Sequence, residues 1–113
     1  MFRRALVLAA LAFSAVPSIA LADTTGSAGY VMKLQANQPS ADTYLTFHGR
    51  VFIGVAKGGT EYRWGGATCG TRTVSDASVQ LLMHALDSGL HVEPIYQIGQ
   101  GDLRCLIGFS TFP

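Results

Sequence analysis

The chain has 113 residues, and its eight Lys or Arg, seven Asp or Glu and three His give a formal net charge of +1. That length holds one small domain, and a near-neutral balance lacks the basic excess that an electrostatic nucleic-acid binder needs. Beyond residue 22 there is no long charge run, low-complexity tract, internal repeat or second hydrophobic stretch.

The first segment reads as an address. Arg3 and Arg4 precede an apolar run from Ala5 to Val16, broken by Pro17, and Ala20-Leu21-Ala22 places small residues where a signal peptidase reads. This predicts a signal peptide over residues 1–22, cleaved before Asp23. The run is shorter than the ~20 residues a spanning helix needs. The residue immediately after the cleavage point is Asp23 and not a cysteine, which argues against a lipid anchor. The arginine pair lacks the polar flank of the twin-arginine route, so general secretion is expected. The mature chain, residues 23–113, is then a single soluble domain, secreted or periplasmic, with no membrane span. Loss of the two leader arginines leaves it six Lys or Arg against seven Asp or Glu.

Thr24 to Gly29 is small and polar and reads as a mobile lead-in. Tyr30 to Gln35 has the content of a first strand with imperfect alternation, and Asn37 to Asp42, with Pro39 inside, is a loop. Thr43 to Ala56 is the longest strand-like run. It puts Leu45, Phe47, Gly49, Val51, Ile53 and Val55 on one face and Tyr44, Thr46, His48, Arg50 and Phe52 on the other. Gly49 and Gly54 within it predict a bent strand, as barrel closure requires. Lys57-Gly58-Gly59 is a hairpin turn. The chain returns through Thr60 to Trp64, with Tyr62 and Trp64 on one face and Glu61 and Arg63 on the other.

From Val74 to Leu90, Val79, Leu82, Met83, Leu86 and Leu90 recur at helical spacing and predict one amphipathic helix. Thr73 or Ser75 can cap it, Asp76 suits its positive end, and Gly89 suits a left-handed stop. His91 to Gly99 resumes strand character, with Pro94 pointing to an edge or a strand start. Leu103 to Phe112 is the last strand, with Cys105, Ile107, Phe109 and Thr111 on one face.

Cys69 and Cys105 are the only cysteines. An even count in an exported chain predicts a disulfide between them. Closing a loop of about 37 residues supplies roughly 4 kcal/mol in the chain-entropy account, comparable to the net stability of a small domain. Zinc is the competing use, and the partnering His cluster is missing.

The expected class is therefore mainly β with one α-helix. Five strands with a helix between the third and fourth is the order of the OB-fold, a small Greek-key barrel; an open α+β sheet is the alternative.

Catalytic patterns are absent. His84 falls at the edge of the helix stripe, His48 and His91 lie on strand positions, and none of the three has a metal-ligand spacing. There is no nucleophile elbow, phosphate loop or carboxylate pair, and both cysteines are consumed by the bridge. No enzyme, metal or cofactor is expected. Ligand-binding candidates are Tyr44, His48 and Arg50 on one strand and Tyr62, Arg63 and Trp64 on the next, because OB barrels bind oligomers on this face. Trp64 equally suits the core.

Gly89-Leu90-His91-Val92-Glu93-Pro94-Ile95-Tyr96 and Cys105-Leu106-Ile107-Gly108-Phe109-Ser110 resemble segments of the glycan-binding B subunits of one-A-five-B bacterial toxins, the subtilase-cytotoxin and pertussis-like group. They also resemble small exported bacterial proteins with a Cys-Gly after the third strand. The toxin resemblance implies an OB-fold, glycan recognition and a homo-oligomer, a pentamer if toxin-like. The family's sugar-contacting serine and tyrosine have no counterpart here, so no residue inherits that role. The functional expectation is a non-catalytic binding module for a glycan; the alternative is an envelope interaction or inhibitor protein that holds a protein ligand by a strand edge or the helix face.

Overall fold

The computed structural model describes residues 22–113, so the predicted signal peptide lies outside the described residues except for Ala22. Six strands form one sheet: β1 (Thr24–Thr25), β2 (Gly29–Ala36), β3 (Gly49–Gly54), β4 (Thr60–Trp64), β5 (His91–Ile98) and β6 (Arg104–Phe112). Five of them close into a barrel in the order β5-β2-β3-β4-β6, with β6 pairing back to β5. Every pairing is antiparallel except β4–β6, which meet in parallel at Arg63 and Cys105. A one-turn helix, α1 (Gly66–Cys69), and the main helix, α2 (Asp76–Ser88), lie between β4 and β5. This is the expected OB-fold-like barrel, and its closure excludes the open sheet.

The core joins Val31, Val51, Ile53, Tyr62, Trp64, Val92 and Leu106 of the strands to Leu82 and Ala85 of α2. Two bulges decide which residues reach it. On β2, Val31 pairs with Ile53 and Lys33 with Phe52, which leaves Met32 unpaired. On β6, Leu106 pairs with Tyr96 and Gly108 with Ile95, which leaves Ile107 unpaired. An extra residue reverses the in-out alternation beyond it. Val31 and Leu34 therefore both face inward, and Leu106 and Phe109 do the same on β6, which corrects the single face expected for the last strand.

The long strand predicted over Thr43 to Ala56 is shorter at both ends. Asp42–Leu45 forms a 3₁₀ turn, and Leu45 and Val55, expected to face the core, are 78% and 80% exposed. Phe47 is buried outside the core cluster, beneath the guanidinium groups of Arg50 and Arg63. Gly49 is not a simple bend: a Cβ there would collide with the Trp64 ring, so the missing side chain is the space that the indole occupies. Gly58 and Gly59 both take positive φ in the hairpin turn, as predicted.

The predicted lead-in is paired. Thr24 and Thr25 lie against Tyr96 and Ile95 of β5, and Asp23 Oδ1 accepts a hydrogen bond from Gln97 Nε2 at 2.7 Å. Pro94 stands in mid-strand, flanked on both sides and buried. Its carbonyl accepts from Gly26 N at 2.8 Å, on the edge where the chain breaks between β1 and β2. An antiparallel residue points N and C=O to the same side, so the donor that proline lacks falls in that break.

Ser75 caps α2 by accepting from Ser78 N at 3.2 Å, and Gly89 ends it in the left-handed conformation. The helix is narrower in its buried stripe than its spacing predicts. Val79, Leu82 and Ala85 face the barrel, whereas Met83 and Leu86 are exposed. Cys69 at the end of α1 is bonded to Cys105 on β6, with a Cα–Cα distance of 5.6 Å and both residues buried. Arg72 donates to the carbonyls of Cys69 and Ile98, tying this corner to β5. No helix among the described residues is long and apolar enough to cross a membrane.

Candidate functional site

A cleft of about 410 Å³ opens where the β2–β3 connection meets the start of α2. The loop residues Asn37, Gln38 and Pro39 form one side, Thr73, Val74, Asp76 and Val79 the other, and Tyr44, His48 and Trp64 complete it. Its volume is that of a small-molecule site. The Tyr44 and His48 rings stack with centroids 4.0 Å apart and planes 12° apart. Against the imidazole lies Gly65, at φ +69°, where a Cβ would collide with the ring. The wall is thus made by a glycine that supplies both a left-handed bend and a bare surface.

The surrounding backbone is tied down. His48 N donates to Trp64 O at 2.8 Å, Asn37 N to His48 O at 2.9 Å, and Thr68 N to Thr46 O at 3.0 Å. The Asn37 side chain donates to Phe47 O and accepts from Gln35, both at 2.9 Å. By contrast, the Tyr44 hydroxyl, the His48 imidazole nitrogens and the Asp76 carboxylate have no hydrogen-bond partner among the described residues. Aromatic faces beside unengaged polar groups can hold a ligand that has both C–H faces and hydroxyl groups.

Arg50 and Arg63 lie elsewhere, on the outside of the β3–β4 hairpin. They stand directly opposite each other, two pairs along from Phe52 and Glu61 on the same face. Arg50 donates from Nε to Gln35 Oε1 at 2.9 Å and from Nη1 to Glu61 Oε2 at 2.8 Å. Arg63 Nε is 3.2 Å from the same Oε2, an ion pair without hydrogen-bond alignment. Phe47 lies 5.4 Å from the Arg50 guanidinium and 4.4 Å from that of Arg63. Burial pushes the Glu61 carboxyl up, yet the hydrogen bond from Arg50, the close approach of the Arg63 guanidinium and the charges of both outweigh it, so its pKa is below the usual carboxylate value.

Of the predicted ligand residues, Tyr44, His48 and Trp64 converge on the cleft, and Arg50 and Arg63 converge on the hairpin face. Tyr62 joins neither. It is 3% exposed inside the barrel, tilted against Tyr96, and desolvation raises its phenol pKa. Trp64 is also 3% exposed, so it is a core residue that also lines the cleft. Sequence reasoning missed Glu61 as the shared partner, though counting outward from Gly58-Gly59 would have set it among the arginines. It read Asp76 only as a helix-end charge, and no local signal shows that Asn37 and Gln38 cross to α2.

His91 is held between Tyr30 and Phe112, with centroids 4.5 and 5.2 Å away, and His84 is exposed on α2. Among the described residues no three His, Cys, Asp or Glu side chains gather as a metal site would need. Comparison with protein-family models, curated proteins and solved structures found no match to this chain.

Proposed function

We propose that this protein is an exported, non-catalytic binding module that takes a saccharide in the cleft between the β2–β3 connection and α2. The observation that carries the reading is the stacked Tyr44–His48 wall beside Trp64, with a phenol, an imidazole and a carboxylate that have no hydrogen-bond partner among the described residues. A sugar ring offers C–H groups to an aromatic face and hydroxyls to such acceptors and donors. Asp76 is suited to accept from a pair of hydroxyls, and its charge is favoured at the start of α2. The resemblance to toxin B subunits is consistent with this ligand class.

The test is a glycan array on the mature protein, followed by calorimetry on the best ligand. Tyr44→Ala and Asp76→Asn are each expected to weaken that ligand at least about tenfold, the scale of one or two lost hydrogen bonds or a stacking face, with the thermal transition preserved. An array without binding, or a ligand indifferent to both changes, overturns the proposal.

A further inference from the structure

The outer hairpin face breaks a rule of sheet design. Like charges directly opposite each other on neighbouring strands repel, yet Arg50 faces Arg63 across β3 and β4. Lys33 extends the same face from β2, with its Nζ 5.7 Å from the centroid of Phe52. Against these three cations stands, among the described residues, one carboxylate, Glu61, and both arginines approach the same oxygen of it. The face is short of negative charge.

It is also short of acceptors. A guanidinium carries five N–H donors. Arg50 uses two, on Gln35 and Glu61, and Arg63 uses none in aligned geometry. The side chains are nevertheless held in place, with side-chain exposures of 24% for Arg50 and 18% for Arg63 over the rings of Phe47 and Phe52. A pair of immobilised guanidiniums with unused donors needs little ordering to receive an oxygen pair.

We propose that Arg50 and Arg63 form an oxyanion-binding platform, completing their charge balance with a carboxylate or sulfate-type group of a ligand. Neither arginine lines the cleft, so the platform stands whether or not the cleft takes a saccharide. Glu61 is the positioning residue that holds the two guanidiniums together while competing with the ligand for them.

Arginine Nε–H resonances of the mature, isotope-labelled protein report the test. Sodium citrate, sodium sulfate and sodium chloride are titrated at matched ionic strength. The Arg50 and Arg63 signals should shift saturably with citrate or with sulfate and not with chloride; the salt that saturates tells a planar from a tetrahedral group. Arg63→Gln should weaken the response at least about tenfold. Glu61→Gln should strengthen it by about fivefold, since one opposing charge at a half-screened distance is removed. A purely structural cluster would not show that opposite sign. Shifts that are linear and equal in all three salts overturn the platform, as does an Arg63→Gln protein that responds like the parent or a folded Glu61→Gln protein that binds no more tightly. Tyr44→Ala should leave the response unchanged, which separates this site from the cleft.

Discussion

The cleft and the outer face of the hairpin sit on neighbouring parts of one barrel and are built in opposite ways. The cleft is a void whose walls are fixed by backbone bonds and by glycine, and the Tyr44, His48 and Asp76 side chains on it have no hydrogen-bond partner among the described residues. The hairpin face is solid, and its polar side chains are locked to one another around a single carboxylate. The first kind of surface can admit a whole ring. The second can admit only a group that supplies the charge it lacks. A hydrogen-bond chain links them, from Asn37 through Gln35 and Arg50 to Glu61, so both are rigid for partly shared reasons.

Removing their common support should damage both regions most. Cys69 ends α1, which follows the Gly65-Gly66 corner of the cleft, while Cys105 pairs with Arg63 of the hairpin. Replacing both cysteines with serine should lower the unfolding free energy by about 3 to 4 kcal/mol, measured by urea denaturation. A loss under about 1 kcal/mol would mean that the barrel holds the corner without the bridge.

Gly65→Ala should then separate the regions. Alanine at φ +69° with its Cβ against His48 should cost about 2 kcal/mol and abolish saccharide binding. The Arg50 and Arg63 resonances should respond to anions as before. Loss of both responses together would show that the two surfaces are one cooperative unit.

Acid should act the other way and with the smallest effect. A carboxyl whose folded pKa is depressed contributes stability above its unfolded value, and that contribution is lost as pH falls through the folded value. Stability attributable to Glu61 should therefore be full above pH 4.5 and decline below it, and Glu61→Gln should flatten that part of the melting-temperature profile. Because the group is near solvent, the change is expected to stay under about 1 kcal/mol. A profile unchanged by the substitution would remove Glu61 from the centre of the hairpin face.

The fold was legible where a local pattern has one physical meaning. Alternation marked the hairpin, Gly58-Gly59 marked its turn, and helical spacing with Ser75 and Gly89 marked α2. The site was legible only in part. Sequence alternation groups Tyr44, His48 and Trp64 with Arg50, Tyr62 and Arg63, because it runs from Thr43 to Ala56 as one strand beside the Thr60 to Trp64 return. The 3₁₀ turn at Asp42–Leu45 ends that alternation and moves Tyr44 and His48 to the barrel end, away from the arginines. Glycines showed the same limit. Gly49 and Gly65 look alike in sequence, but each leaves room for a ring that arrives from another strand or loop.

By itself the sequence determined the order of the five barrel strands and the main helix, the bridge and the positions of the caps, since each depends on neighbours within a few residues or on an unambiguous count of cysteines. The tertiary structure decided which side chains meet. Bulges at Met32 and Ile107 reversed faces, barrel closure drew the β2–β3 connection over the start of α2, and the hairpin set Arg50 opposite Arg63. Those outcomes depend on pairings between distant segments, and one residue of register moves a side chain from the core to the solvent.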